Sequence, residues 1–132
     1  MNKIFTLLLL LIPCISISQG YLYFGKNHDE IISILKNNKN IDIMDDLPDY
    51  IHTVDDLKLN NIIFFLKDDQ CYEVHTTYQK EEDYEKVYNY LDVVYLKDEE
   101  GVWHFDFDGG RQITYLQRKK GFFVIKDVLT NK

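Results

Sequence analysis

The last forty residues set the tightest limit on how this chain can fold. Four stretches of strand length, 93–97, 102–107, 111–118 and 122–128, are separated by Asp98-Glu99-Glu100-Gly101, Asp108-Gly109-Gly110 and Lys119-Lys120-Gly121. Each separator carries glycine, the residue that takes positive φ in a tight turn at no steric cost. Trp103, Phe105 and Phe107 alternate with His104, Asp106 and Asp108, which gives one apolar and one polar face. Strands joined this closely pair antiparallel, and such a sheet can keep one face in water while helices cover the other.

The upstream residues supply those helices and more strands. Asn27 is a good N-cap, and Asp29 and Glu30 complement the dipole of the turn that follows. Ile31, Ile34 and Leu35 form an apolar stripe with Ile32 beside it, and the pattern ends in Asn37, Asn38, Lys39 and Asn40. Residues 41–49 mix isoleucine, methionine and four aspartates without a period and read as a surface connection. Strands are predicted at 50–54, 62–66 and 71–78. In the last of these Tyr72, Val74, Thr76 and Tyr78 face the helices, and Cys71, Glu73, His75 and Thr77 face away. Tyr84, Val87, Tyr88 and Leu91 recur at helical spacing, so 81–91 is the second helix. The expected fold class is α+β: an antiparallel sheet of about six to seven strands, ending in a four-stranded meander, with two helices packed on one face. The pattern of helix and strands occurs twice, though no shared motif marks a repeat.

The N-terminus reads as a targeting segment. Lys3 precedes an apolar run from Ile4 to Ile12, broken only by Thr6, and Pro13 ends it. About ten apolar residues are too few to span a bilayer and suit a secretory signal. Ser16 and Ser18 supply small residues at −3 and −1, which predicts a cleaved signal peptide at 1–18 and a single domain at 19–132. Pro13 stands where a lipobox has a small residue before its cysteine, so Cys14 is not read as acylated. Loss of Cys14 leaves Cys71 without an intramolecular disulfide partner, as a buried small hydrophobe. The expected location is the periplasm or the medium, with no transmembrane segment in the mature chain.

Charge narrows the partners. The chain has 15 Lys and Arg against 22 Asp and Glu, a net charge of -7, and only two arginines. Nucleic-acid binding draws on a basic footprint that is missing here, and an anionic membrane is disfavoured for the same reason. Hydrophobic residues at 45% are enough for one core.

Two constellations suggest chemistry and neither closes. Cys71 and His75 are a possible nucleophile and base, but four residues along a strand span about 13 Å and a dyad needs contact. His104, Asp106 and Asp108 share a strand face and the last two open like a calcium loop, but Arg111, Ile113 and Tyr115 follow where oxygen ligands are required. No catalytic residue, metal or cofactor is therefore assigned. His28 reads as a surface residue, and the acidic pairs and triplets as solubilising turns. The ten tyrosines are the least ordinary feature, because Tyr combines large rigid area with a wet hydroxyl and is favoured at recognition surfaces. The expected function is an exported, non-enzymatic protein-binding module with a protein partner in the cell envelope. Its candidate binding residues are Tyr72, Glu73, His75, His104, Asp106 and Arg111. The alternative is a small-molecule-binding or hydrolytic domain with a pocket between helix and sheet.

Several of these features together carry a resemblance: the leader ending Ser18-Gln19-Gly20, the apolar strand leading to Cys71, the Tyr-rich helix, Gly101-Val102-Trp103-His104-Phe105 and a terminal aromatic hairpin. In these the chain resembles the small exported proteins common in Bacteroidota, to which no function is assigned. The alternation of helix and strands is also similar to the β-lactamase-inhibitor-protein-like architecture, which implies binding to another protein and no active site. A cystatin-like or nuclear-transport-factor-2-like cone, one helical layer on a curved sheet, resembles the pattern nearly as well and corresponds to the alternative function. No catalytic motif of these families maps onto the chain.

Overall fold

The computed structural model describes residues 19–55 and 60–131, so the expected signal peptide at 1–18 lies outside the described residues. After a 3-10 turn at Gly20–Leu22 come helix α1 (His28–Lys36) and strands β1 (Ile41–Asp46), β2 (Tyr50–Asp55), β3 (Asn60–Lys67) and β4 (Gln70–Tyr78). A second 3-10 turn at Glu81–Asp83 leads into α2 (Tyr84–Val94), then β5 (Leu96–Lys97), β6 (Trp103–Phe107), β7 (Gly110–Arg118) and β8 (Phe123–Thr130). All pairings are antiparallel, in one sheet of order β1-β2-β3-β4-β8-β7-β6-β5. The α+β class is as read from the sequence, with eight strands among the described residues instead of six or seven.

That order has a symmetry. Each half is a helix followed by a four-stranded meander, and the halves join through their last strands, β4 and β8. Exchanging β1–β4 with β5–β8 returns the same order read backwards.

Two element assignments are corrected. The residues read as a surface connection form β1, in which Ile41 and Ile43 are half-buried while Asp42 is exposed. The register shifts between Ile43 and Asp45, so the apolar alternation lasts three residues and is too short to stand out. The strand expected at 93–97 shrinks to Leu96–Lys97, because the helix runs on through Val93 and Val94. The Tyr95 N–H still donates to Leu91 O at 2.9 Å, closing that last turn.

Helix α1 starts where its cap dictates. Asn27 Oδ1 accepts from the Glu30 N–H at 2.9 Å, and Glu30 Oε1 accepts from the Asn27 N–H at 3.3 Å, a reciprocal capping box. Ile31 and Leu35 are buried against Ile51, Phe64, Leu66, Cys71 and Val74, each worth about 1.5 to 3 kcal/mol of burial. On α2, Val87, Tyr90 and Leu91 pack with Tyr78, Trp103, Phe123 and Ile125. Val74 and Tyr78 lie four residues apart on β4 and so point to the same side. Both helices therefore cover one face of the sheet.

The N-terminal segment ties the two cores together. The Gly20 N–H donates to Asp127 Oδ2 at 3.1 Å, Thr114 Oγ1 donates to Asp127 Oδ1 at 2.8 Å, and the Tyr21 N–H donates to Gln112 Oε1 at 2.8 Å. The first two of these bonds satisfy a carboxyl group whose residue is 1% exposed, as a buried polar group requires. A Cβ on Gly20 would stand 2.7 Å from Asp127 Cβ, so only glycine fits. From there Tyr23 reaches Phe64 in one core and Tyr21 reaches Phe105 beside the other, both at 4.8 Å between ring centroids.

Candidate functional site on the open sheet face

Strand register decides which side chains share the face that the helices leave uncovered. One row across the sheet is Phe65, Glu73, Val128, Ile113 and His104; the next is Ile63, His75, Lys126 and Tyr115. Neighbours on these rows half-bury one another, and Tyr115 stays 39% exposed. The result is a broad surface of aromatic and aliphatic groups with a few charges set into it.

Glu73 and His75 hold its centre. His75 Nε2 lies 2.6 Å from Glu73 Oε2, and the Phe65 ring packs against the imidazole at 4.7 Å. Burial lowers the His75 pKa, Lys126 adds to this, and Glu73 opposes without reversing it. The ring is therefore neutral at pH 7, and donation from Nε2 to Glu73 leaves Nδ1 as an acceptor.

His104, Asp106 and Arg111 lie elsewhere on the same face. Arg111 Nε donates to Asp106 Oδ1 at 2.7 Å with Nη2 at 3.4 Å from Oδ2, and His104 Nε2 pairs with Asp98 Oδ2 at 2.7 Å. His104 sits in the Glu73 row three strands away, which is about 14 Å at the usual strand spacing. The six candidate residues thus form two patches rather than one site.

Tyr72 and Cys71 reverse the faces expected for them. Phe65 pairs with Glu73 and Leu66 with Cys71, so Tyr72 is an extra residue bulged from β4. It points outward, 39% exposed, while Cys71 is fully buried in the α1 core. Two backbone bonds hold this arrangement: Gly25 N–H to Cys71 O and Cys71 N–H to Lys26 O, each 2.9 Å. Cys71 and His75 accordingly occupy opposite faces, and burial pushes the thiol pKa up to about 12. Such a thiol is not a nucleophile at neutral pH.

Among the described residues no group of three or more His, Cys, Asp or Glu could hold a metal ion. His104 Nε2 pairs with Asp98 and the Asp106 carboxylate with Arg111 instead of converging on one point.

The sequence reading missed a groove of about 570 Å³ at the β1 end of the molecule, lined by His28, Asp46, Leu47, Pro48, Asp49, Leu66, Asp68 and Asp69. His28, read as a simple surface residue, bonds Asp46 through Nε2 and Asp29 through Nδ1, and its backbone N–H donates to Asp69 Oδ1 at 3.1 Å. Burial would lower its pKa, but the bonds to Asp29 and Asp46 outweigh that and raise it. One local signal was present: Asp68 and Asp69 take φ of 51° and 55° in a two-residue hairpin turn, a role aspartate tolerates. Nothing local places that turn beside Asp46.

The chain matches no protein family, no curated protein and no solved structure. No helix among the described residues is long and apolar enough to cross a membrane.

Proposed function

We propose that the chain is an exported, non-enzymatic protein-binding module that presents the open face of its sheet to a protein of the cell envelope. The observation that carries this reading is the central surface around Glu73 and His75. Phe65, Ile113, Tyr115 and Val128 are held rigidly by strand pairing and left uncovered by any described element. Rigid aromatic and aliphatic groups around a few fixed charges are what a protein interface core needs. A surface is favoured over a pocket beneath the covered sheet face because the cavity there, between the N-terminal segment and the sheet at Gly20, Phe64, Thr76 and Asp127, is only about 10 Å³, far below the several hundred Å³ of a ligand site, while the groove of about 570 Å³ lies at the β1 end instead. The inert Cys71 adds no hydrolytic chemistry.

The test is crosslinked affinity capture of the tagged full-length chain from its host envelope, with partners and mature N-terminus read by mass spectrometry. A stoichiometric protein partner and a chain starting at Gln19 are expected. Tyr115→Asp, at an exposed position, should abolish capture while leaving the circular dichroism spectrum unchanged. Full capture by that variant would remove the sheet face from the reading.

A further inference from the structure

We infer that the outer edge of β1 binds an extended, basic segment of a partner protein as a ninth strand of the sheet. This rests on the reading of the chain as a protein-binding module but uses a different surface.

Among the described residues β1 is an edge strand, paired with β2 on one side only. Its six residues run for about 20 Å and present backbone donors and acceptors on the other side, which an added strand satisfies. The side chains say which strand. Ile41 and Ile43 are partly covered on the helix side, and Met44 at the bulge is 58% exposed. Asp42 and Asp45 lie on the open side, opposite Val54 and His52 of β2. Beyond Asp46 the edge leads into the groove, where exposed Leu47 adjoins the carboxylates of Asp68 and Asp69.

Charge selects the occupant. Among the described residues no Lys or Arg forms an ion pair with any of these aspartates; Asp45 meets only His52, and Asp46 only His28. A second copy would bring the same aspartates and a net charge of -7, so like charges oppose β1 pairing with its own copy. A segment alternating apolar residues with Lys or Arg fits both sides of the strand. Its aliphatic stems would lie along Leu47 while the cationic heads reach the carboxylates.

The probe is a fluorescent nine-residue peptide alternating Val and Lys, titrated into the mature chain and followed by anisotropy and hydrogen exchange. Saturable binding is expected, with slowed exchange at 41–46. Binding should weaken at least tenfold for a counterpart N-methylated at every central amide, which keeps charge and side chains but cannot pair. The same loss is expected for Asp42→Lys, whose spectrum and melting should match wild type. The inference is overturned by equal binding of the N-methylated peptide, by equal binding with Glu in place of Lys, by protection elsewhere, or by no binding. Slowed exchange at 41–46 in a concentration-dependent dimer without peptide would give the edge to a second copy and also overturn it. Tyr115→Asp should leave the peptide affinity unchanged, so failure at the sheet face and failure at the edge are told apart.

Discussion

His28 and His75 both contact carboxylates, yet their surroundings move them in opposite directions. His28 is held by Asp29 and Asp46 where the solvent still reaches, and its pKa rises. His75 lies in the half-buried centre of the sheet against Phe65, where the cost of burying charge exceeds the pull of Glu73, and its pKa falls. The unfolded value for both is about 6.5. A raised folded value means that His28 adds stability fully below about pH 6.5 and loses it as pH rises through the folded pKa. A lowered one means that the His75 contribution is intact above about pH 6.5 and is lost as pH falls from there toward the folded pKa. Denaturation midpoints of wild type, His28→Gln and His75→Gln at pH 5.5 and pH 8 check this. His28→Gln should cost more at pH 5.5 than at pH 8, and His75→Gln more at pH 8 than at pH 5.5; parallel changes in the two variants would contradict the assignment.

At the scale of elements, the bulge in β4 decides what is core and what is surface. Strict alternation would bury Tyr72 and expose Cys71, and one added residue inverts that. Deleting Tyr72 would leave Cys71, Glu73 and Val74 alternating inward, outward, inward, the regular pleat of a strand. The deletion variant is therefore expected to fold with Cys71 still inaccessible to a thiol reagent in the native state; rapid labelling at neutral pH would show that the strand had slipped instead. Most elements were legible from local signals: the cap at Asn27, the spacing of Tyr84, Val87, Tyr88 and Leu91, and the glycine turns of the C-terminal half. β1 was not, because an edge strand needs one apolar side only and the shift after Ile43 cuts that signal short. The same holds for the candidate residues. Alternation placed Glu73, His75, His104 and Asp106 away from the helices, but no pattern within a strand tells how many strands lie between two of them.

For the molecule as a whole, the two helix-and-meander halves are not independent units. β4 and β8 share a ladder from Glu73↔Val128 to Tyr78↔Phe123, and residues 20–24 pack on both cores. Contacts shared this widely favour a single cooperative transition. The chain carries a reporter in each half, since its lone tryptophan, Trp103, lies in the α2 core and Cys71 in the α1 core. Trp103 fluorescence and Cys71 thiol exposure should give the same denaturant midpoint; separated midpoints would mean that one half unfolds before the other. By itself the sequence determined the elements whose causes lie within a few residues: caps, turns, helical stripes and alternating strands, along with the acidic balance of the chain. Only the tertiary structure decided that β4 meets β8, that Cys71 turns inward, that His28 meets Asp46 and that Gly20 closes on Asp127. Each of these depends on groups distant in the chain or on one extra residue in a ladder, and side-chain periodicity along one segment carries no record of which segment will lie beside it.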